Sequence, residues 1–278
     1  MFTLNCKGRI LVIDKPLIMG IINVTPDSFY EGSRRQTLDA ILHQAEKMIK
    51  DGADILDIGG QSTRPGSIAI GAEEELKRVI GPIAAIYLNF PETFISVDTY
   101  YGLVAKESVT AGASIINDIS AGNMDKNMIA TVAALHVPYV LMHIQGTPQT
   151  MHLSSHYVNV TNEVLDFFIT KIDELNKAGI NDIIIDPGFG FGKTITHNFE
   201  LLHNLSVFKI IDHPILLGIS RKSTIYNTLG ITAAEALNGT TVLNTIGIMN
   251  GASIIRVHDV KEAKEVIALV TATMLSKT

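Results

Sequence analysis

Residues 186–194 read DPGFGFGKT, and their three glycines, lysine and threonine have the composition of a phosphate cradle. A nucleotide-binding loop of that kind needs a glycine, four spacers and then Gly-Lys-Ser/Thr, so that backbone N–H groups converge on the phosphates. Counting back from Gly192-Lys193-Thr194, the first glycine position holds Pro187, which has no N–H to give. The dinucleotide spacing fails too, because its third glycine position holds Lys193. The stretch is therefore a loop of another kind. Other residues able to do chemistry recur at one regular place. Asn23, Asp57, Asp98, Asn117, Asp118, His143, Asp186, the triplet Ser220-Arg221-Lys222, and Arg256 with His258 each close, or directly follow, a short apolar run. Carboxylates, amides and a few cations gathered at one mouth read as a binding and catalytic site, whereas a merely solvated face scatters charge along helices.

The elements that must position these residues repeat along the chain. Eight runs of apolar, often β-branched residues end abruptly in polar residues or glycine: LIMGIIN (17–23), ADILDIGG (53–60), TFISVDT (93–99), SIINDIS (114–120), PYVLMHI (138–144), DIIIDPG (182–188), PILLGIS (214–220) and SIIRVHD (253–259). Amphipathic segments lie between them. In 37–53, Leu38, Ile41, Leu42, Ala45, Met48 and Ile49 form one stripe, and Asp-Gly-Ala stops the helix. Strands alternating with helices pair in parallel, and near-continuous apolar strands are buried on both faces. Eight such units predict an α/β fold, a closed (β/α)8 TIM barrel, whose active site lies at the C-terminal ends of the strands. The first fourteen residues predict a β-hairpin, with Lys7-Gly8 at its turn, covering the barrel bottom. No linker, charge block or low-complexity segment divides the chain, so 1–278 reads as a single domain.

Composition narrows the partners. The 278 residues are 46% hydrophobic and carry a net charge of −6, which disfavours nonspecific nucleic-acid binding. A single cysteine, Cys6, gives no internal disulfide framework and suits a reducing compartment. The N-terminal stretch lacks the pattern of a secretory signal, and no apolar run approaches membrane-spanning length. The expectation is a cytoplasmic protein acting on small molecules.

Eight segments carry a family resemblance: MGIINVTPDSF (19–29), DIGGQSTRPGS (57–67), ISVDT (95–99), INDIS (116–120), LMHIQGTPQTM (141–151), DPGFGFGKT (186–194), GISRKS (218–223) and IRVHDV (255–260). They run nearly the whole chain in order and resemble the dihydropteroate synthase family of folate biosynthesis. The resemblance implies condensation of 6-hydroxymethyl-7,8-dihydropterin pyrophosphate with para-aminobenzoate, giving 7,8-dihydropteroate and pyrophosphate. It also implies a sulfonamide-binding transferase, Mg2+ and a homodimer. By the same resemblance, Asp98, Asn117, Met142, Asp186, Gly218 and Lys222 bind the pterin. Phe29, Thr63, Arg64, Pro65, Phe191 and Ser220 form the aminobenzoate side. Asn23, Thr63, Arg64, Arg256 and His258 meet the pyrophosphate, with Asn23 also on the metal, and Asp98, Lys222, Arg256 and His258 carry the catalytic roles. Two features of the residues agree with those roles: Arg256 and His258 sit two apart and share a face, and Arg offers a planar fork to phosphate oxygens. For Asp98 a helix-capping role is the alternative.

The pattern departs from the family in places. Tyr30-Glu31-Gly32-Ser33 replaces the end of DSFSDGG, Gln61 replaces the glutamate of GGESTRPG, and Ile144-Gln145 replaces Met-Arg in HMRGTPQTM. His152 and His156 lack the glutamate of a zinc-protease helix and read as a surface loop. Two rival readings share the acid-lined pocket: a methyltransferase domain that handles a methylated folate, and a non-catalytic pterin-binding barrel. The first does not explain the STRPG loop, the SRK turn or the Arg256–His258 pair, and intact site residues at every strand end argue against the second.

Overall fold

The computed structural model describes residues 1–24, 34–62, 69–151 and 155–276. Strands β1 (Phe2–Cys6) and β2 (Arg9–Ile13) form the antiparallel hairpin. Lys7 and Gly8 turn it with φ of 57° and 85°, the doubly positive geometry that matches strand twist, and Asn5 Oδ1 accepts from Gly8 N at 2.8 Å. Alternation puts Leu4, Cys6, Leu11 and Ile13 on one buried face.

Eight parallel strands follow: β3 (Leu17–Asn23), β4 (Ile55–Gly59), β5 (Phe94–Asp98), β6 (Ile115–Asp118), β7 (Tyr139–Met142), β8 (Ile183–Asp186), β9 (Leu216–Leu217) and β10 (Ile254–Val257). The sheet runs β8-β7-β6-β5-β4-β3-β10-β9, and a parallel bridge from Ile185 to Ile215 joins its two ends into a barrel. The helices between them are α1 (Arg34–Asp51), α2 (Ala72–Asn89), α3 (Gly102–Ala111), α4 (Met128–Leu135), α5 (Val160–Lys177), α6 (Ile195–His203), α7 (Ser223–Leu229), α8 (Leu237–Met249) and α9 (Val260–Leu275). The anticipated stripe of α1 buries Ile41, Ala45 and Met48 and packs Leu42 and Ile49 against the same core.

The barrel is a closed stack of two apolar layers. Ile18, Ile22, Leu56, Ile58, Ile95, Val97, Ile116, Leu141, Ile185, Leu217 and Ile255 face the helices, and the opposite parity faces the barrel axis. At the bottom, Leu17, Met19, Ile55, Ile115, Val140, Ile184, Leu216 and Ile254 pack against the hairpin's Leu4, Cys6, Leu11 and Ile13. The hairpin thus replaces water as the floor of the barrel. One expected strand is shorter than its run: PILLGIS contributes only Leu216–Leu217, since Pro214 has no N–H for a ladder. Chain parity then fixes what reaches the top. A residue two or four positions after a floor residue points into the mouth.

Candidate active site

That rule delivers the polar residues to one place. Asp57 follows Ile55, Asn117 follows Ile115, Met142 follows Val140, Asp186 follows Ile184, Gly218 follows Leu216 and Arg256 follows Ile254, each by two residues. Asp98 ends β5 four residues after Phe94, and Asn23 ends β3 at the exposed rim. Each of the eight barrel strands carries one such position at, near or just past its C-terminal end.

Arg256 is the hub. Its Nε donates to Asp57 Oδ2 at 2.6 Å and its Nη2 to Asp98 Oδ2 at 2.6 Å. Burial works against its charge, but Asp57 and Asp98 outweigh burial and raise its pKa further. Burial raises Asp98 to about 7, against the pull of Arg256. Asp57 Oδ2 also accepts from Asn117 Nδ2 at 3.0 Å. A carboxylate only accepts, so it turns the Asn117 amide nitrogen toward itself and leaves Oδ1 for the mouth. Asp98 does not cap the next helix: the N-cap of α3 is Tyr101, and Gly102 N donates to Asp125 instead.

The opposite wall is built from β8 and the turn after β9. Asp186 Oδ1 accepts from Gly188 N at 2.7 Å, while its Oδ2 and Lys222 Nζ both lie beside Gly218, 3.6 and 3.8 Å from where a Cβ would stand. Burial raises the Asp186 carboxyl and lowers the Lys222 ammonium to about 8, each opposed by the other's charge. Lys222 donates to Phe189 O at 2.5 Å and its Nζ stands 4.5 Å from the centre of the Phe191 ring. Met142 belongs to an apolar cluster with Tyr100 and Ile119, against which Phe191 packs. Ser220 Oγ lies 3.0 Å from His258 Nδ1, so these two expected ligands meet side by side past the ends of the paired strands β9 and β10. Three acids (Asp57, Asp98, Asp186) thus face two cations (Arg256, Lys222) at the mouth.

Several residues read from the sequence as part of the mouth face elsewhere. Asp118 has the parity of Ile116, and its carboxylate ties Ser120 N, Gly122 N and the Tyr139 hydroxyl behind the barrel wall. His143 has the parity of Leu141, and its ring stacks edge-on against Phe167 of α5 at 4.9 Å. Arg221 adopts φ 54° and points away, bonding Asp259 through Nε and Nη2 at 2.8 Å each, and the carbonyls of Ala233 and Ala234. It anchors the turn that carries Ser220 and Lys222. Asp57, which the sequence reading placed at the mouth without a role, turns out to bind both Arg256 and Asn117. Its fixed parity with Ile55 was the available signal.

The Gly-Lys-Thr stretch also resolves. Thr194 is the N-cap of α6, accepting from His197 N at 3.1 Å while His197 Nδ1 accepts from Thr194 N. The departures from the family pattern have local partners. Gln61 Oε1 accepts from Ile70 N at 2.7 Å, and the Gln145 amide exchanges two 3.1 Å bonds with the backbone of His156. Phe29, Thr63, Arg64, Pro65, Tyr30, Glu31 and His152 lie outside the described residues.

A closed barrel whose mouth gathers carboxylates, an amide and cations defines an α/β-barrel enzyme with its site at the C-terminal ends of the strands. Residues 19–258 match the family model for pterin binding enzyme. Over 277 residues the chain is 44% identical to the dihydropteroate synthase of Escherichia coli strain K12, covering 99% of this chain and 97% of the relative. Among solved structures, the Yersinia pestis dihydropteroate synthase in complex with a sulfonamide drug superposes with a TM-score of 0.92 at 40% identity, covering 98% and 99% of the two chains. The Xanthomonas albilineans dihydropteroate synthase in complex with 7,8-dihydropteroate gives 0.88 at 36%, again over 98% and 99%. The chain belongs to the pterin binding enzyme family, within its dihydropteroate synthase branch.

Proposed function

We propose that the chain condenses 6-hydroxymethyl-7,8-dihydropterin pyrophosphate with para-aminobenzoate, as a transferase of folate biosynthesis. The observation that carries this reading is the paired acid–base frame of the mouth, Asp57–Arg256–Asp98 on one side and Asp186–Lys222 on the other. Acceptors Asn117 Oδ1 and Asp186 Oδ2 suit ring N–H groups, and the Lys222 ammonium suits a ring acceptor. Met142 and Phe191 offer the apolar faces that flank a flat ring.

In the displacement, the methylene–oxygen bond breaks, its electron pair leaves with pyrophosphate, and the aniline nitrogen's lone pair forms the new C–N bond. The aniline proton then leaves to solvent. An aniline is already neutral near pH 7, so the residues act chiefly by placement and field. Asp98 stands nearest the forming cation. Arg256, whose Nη1 lacks an acceptor among the described residues, and His258 with Ser220 stabilise the departing anion. Thr63, Arg64, Pro65 and Phe29 complete the aminobenzoate side by resemblance.

Asn23 presents one hard oxygen donor at the rim, within 3.7 Å of the Cβ position of Gly59, and Asp98 borders the same point. Among the described residues no group of three His, Cys, Asp or Glu gathers to hold a metal. One hard amide oxygen fits a weakly protein-bound Mg2+: Asn23 would hold the ion, which would supply charge neutralisation for the departing pyrophosphate. A homodimer is favoured by the exposed Val242, Ile246 and Met249, which lie on one face of α8. The lone, buried Cys6 suits a reducing cytoplasm. No helix among the described residues is long and apolar enough to cross a membrane.

Incubating purified protein with both substrates and Mg2+ tests the function directly. Stoichiometric formation of 7,8-dihydropteroate and pyrophosphate is expected. A protein that binds the pterin but releases no pyrophosphate in the presence of para-aminobenzoate is not this enzyme.

A further inference from the structure

Lys193 is buried and takes no part in the proposed mechanism, yet its ammonium is surrounded by polar atoms. Its Nζ lies 2.9 Å from His143 Nδ1, 3.0 Å from Gly188 O, 3.0 Å from Phe191 O and 3.3 Å from His143 O. The cause lies in the loop. Gly188, Gly190 and Gly192 take φ of 72°, 82° and 63°, and these left-handed turns swing the backbone so that carbonyl oxygens converge on one buried point. A Cβ at Gly188 would collide with the carbonyl of His143, so the two backbones close to contact distance. Buried carbonyls that face one another without a donor repel and lose their hydration. The lysine fills the place that a bound cation fills in other carbonyl nests.

The arc held this way carries three handles on the mouth. Gly188 N orients Asp186 through Oδ1, Phe189 O receives Lys222, and the Phe191 ring lies over Lys222 Nζ. We propose that Lys193 is a positioning residue for pterin recognition: by gathering the Gly188, Phe191 and His143 carbonyls it sets the direction of Asp186 and the seat of Lys222. It does so without touching the ring. The same lysine that imitates a nucleotide-binding motif in the sequence thus fills an internal nest of carbonyl oxygens. This inference rests on the pterin reading of the mouth.

Lys193→Met keeps the length and apolar stem but removes the N–H donors. Calorimetry would measure two ligands separately on folded protein, checked by circular dichroism: 6-hydroxymethyl-7,8-dihydropterin, and pyrophosphate with Mg2+. The expected result is pterin affinity weakened by about tenfold or more, with pyrophosphate affinity nearly unchanged, since Arg256 and His258 stand on and just past β10. Unchanged pterin affinity, or equal loss for both ligands, overturns the positioning role. Failure of the unaltered protein to bind the pterin would instead refute the functional reading itself. A second measurement needs no altered lysine. Pterin added to the unaltered protein should shift the 15N resonances of the His143 ring, assigned by comparison with His143→Gln, because that ring senses Nζ from behind the barrel wall. A His143 signal that stays put at saturating pterin shows that the nest and the pocket are uncoupled, and sinks the proposal.

Discussion

Asp57 and Arg256, 199 positions apart in sequence, meet at 2.6 Å inside the barrel mouth. The same Asp57 oxygen holds Asn117, so one buried carboxylate orients a cation and an amide together. Replacing Asp57 with Ala should cost about 3–5 kcal/mol of stability, because it strips a partner from a buried charge. It should also lower kcat/KM by about a hundredfold or more through the misplaced guanidinium and the released amide. Denaturant titration and steady-state kinetics read the two losses separately. Full activity in a folded Asp57→Ala protein would show that Asp98 alone holds Arg256.

Arg256 serves two carboxylates as well as the proposed anion, and this changes what its removal should do. Arg256→Ala should weaken the bare hydroxymethyl pterin as well, since Asp57 and Asp98 lose their counter-ion. The additional loss seen with the pyrophosphorylated pterin measures the direct phosphate contact, about 1.5–3 kcal/mol for a charged hydrogen bond. Paired titrations of the two ligands give that difference. Identical losses would confine Arg256 to holding the acids.

Asp186→Ala removes the acceptor opposite Lys222 and the anchor of Gly188 N together. Pterin affinity should fall by several kcal/mol, as for a buried charged hydrogen-bonding group. Calorimetry that finds the affinity intact would place the ring elsewhere in the mouth.

Lys222 gives a pH test. Burial lowers its ammonium to about 8, so the charged form that donates to a ring acceptor is lost as pH rises through that value. Affinity for the bare pterin should therefore decline above about pH 8, and the decline should vanish in Lys222→Met. If Lys222→Met keeps the same alkaline limb, another group is responsible.

Arg221 holds the turn that presents Ser220 and Lys222 while adopting φ 54°, a conformation that costs a side-chain-bearing residue about 1–3 kcal/mol. Its two bonds to Asp259 offset that strain. A double-mutant cycle of Arg221→Ala and Asp259→Ala should give a coupling of about 1–3 kcal/mol in unfolding free energy. Additive losses would mean that the turn is held instead by the Thr240 hydroxyl, which accepts from Arg221 N at 3.0 Å.

The architecture was legible because each strand announces itself as an apolar run with a polar end, and the ends that matter lie at the barrel mouth. Asp98, Asn117, Asp186 and Arg256 stood out for that reason. Which end residue faces inward was harder to read, since strands buried on both faces lose their alternation. Asp118 and His143 were grouped with the mouth for want of that parity, and the floor residues Ile115 and Val140 settle it. Lys193 and Arg221 escaped for another reason. Their partners are backbone carbonyls and a distant acid brought together only by left-handed loop turns, and no spacing in the chain encodes those contacts.

The barrel has a seam. Elsewhere its strands share ladders of two to five residue pairs, but β8 and β9 meet through the single Ile185–Ile215 bridge. Asp186 stands on one side of that seam and Gly218 with Lys222 on the other, so a ring bound between them spans the weakest join in the wall. The substrate then acts as a rivet in the cylinder it occupies. The backbone amide of Ile185, which donates to Pro214 O across the seam, should become slower to exchange hydrogen for deuterium when the pterin is bound, in a barrel whose floor is already closed by its hairpin.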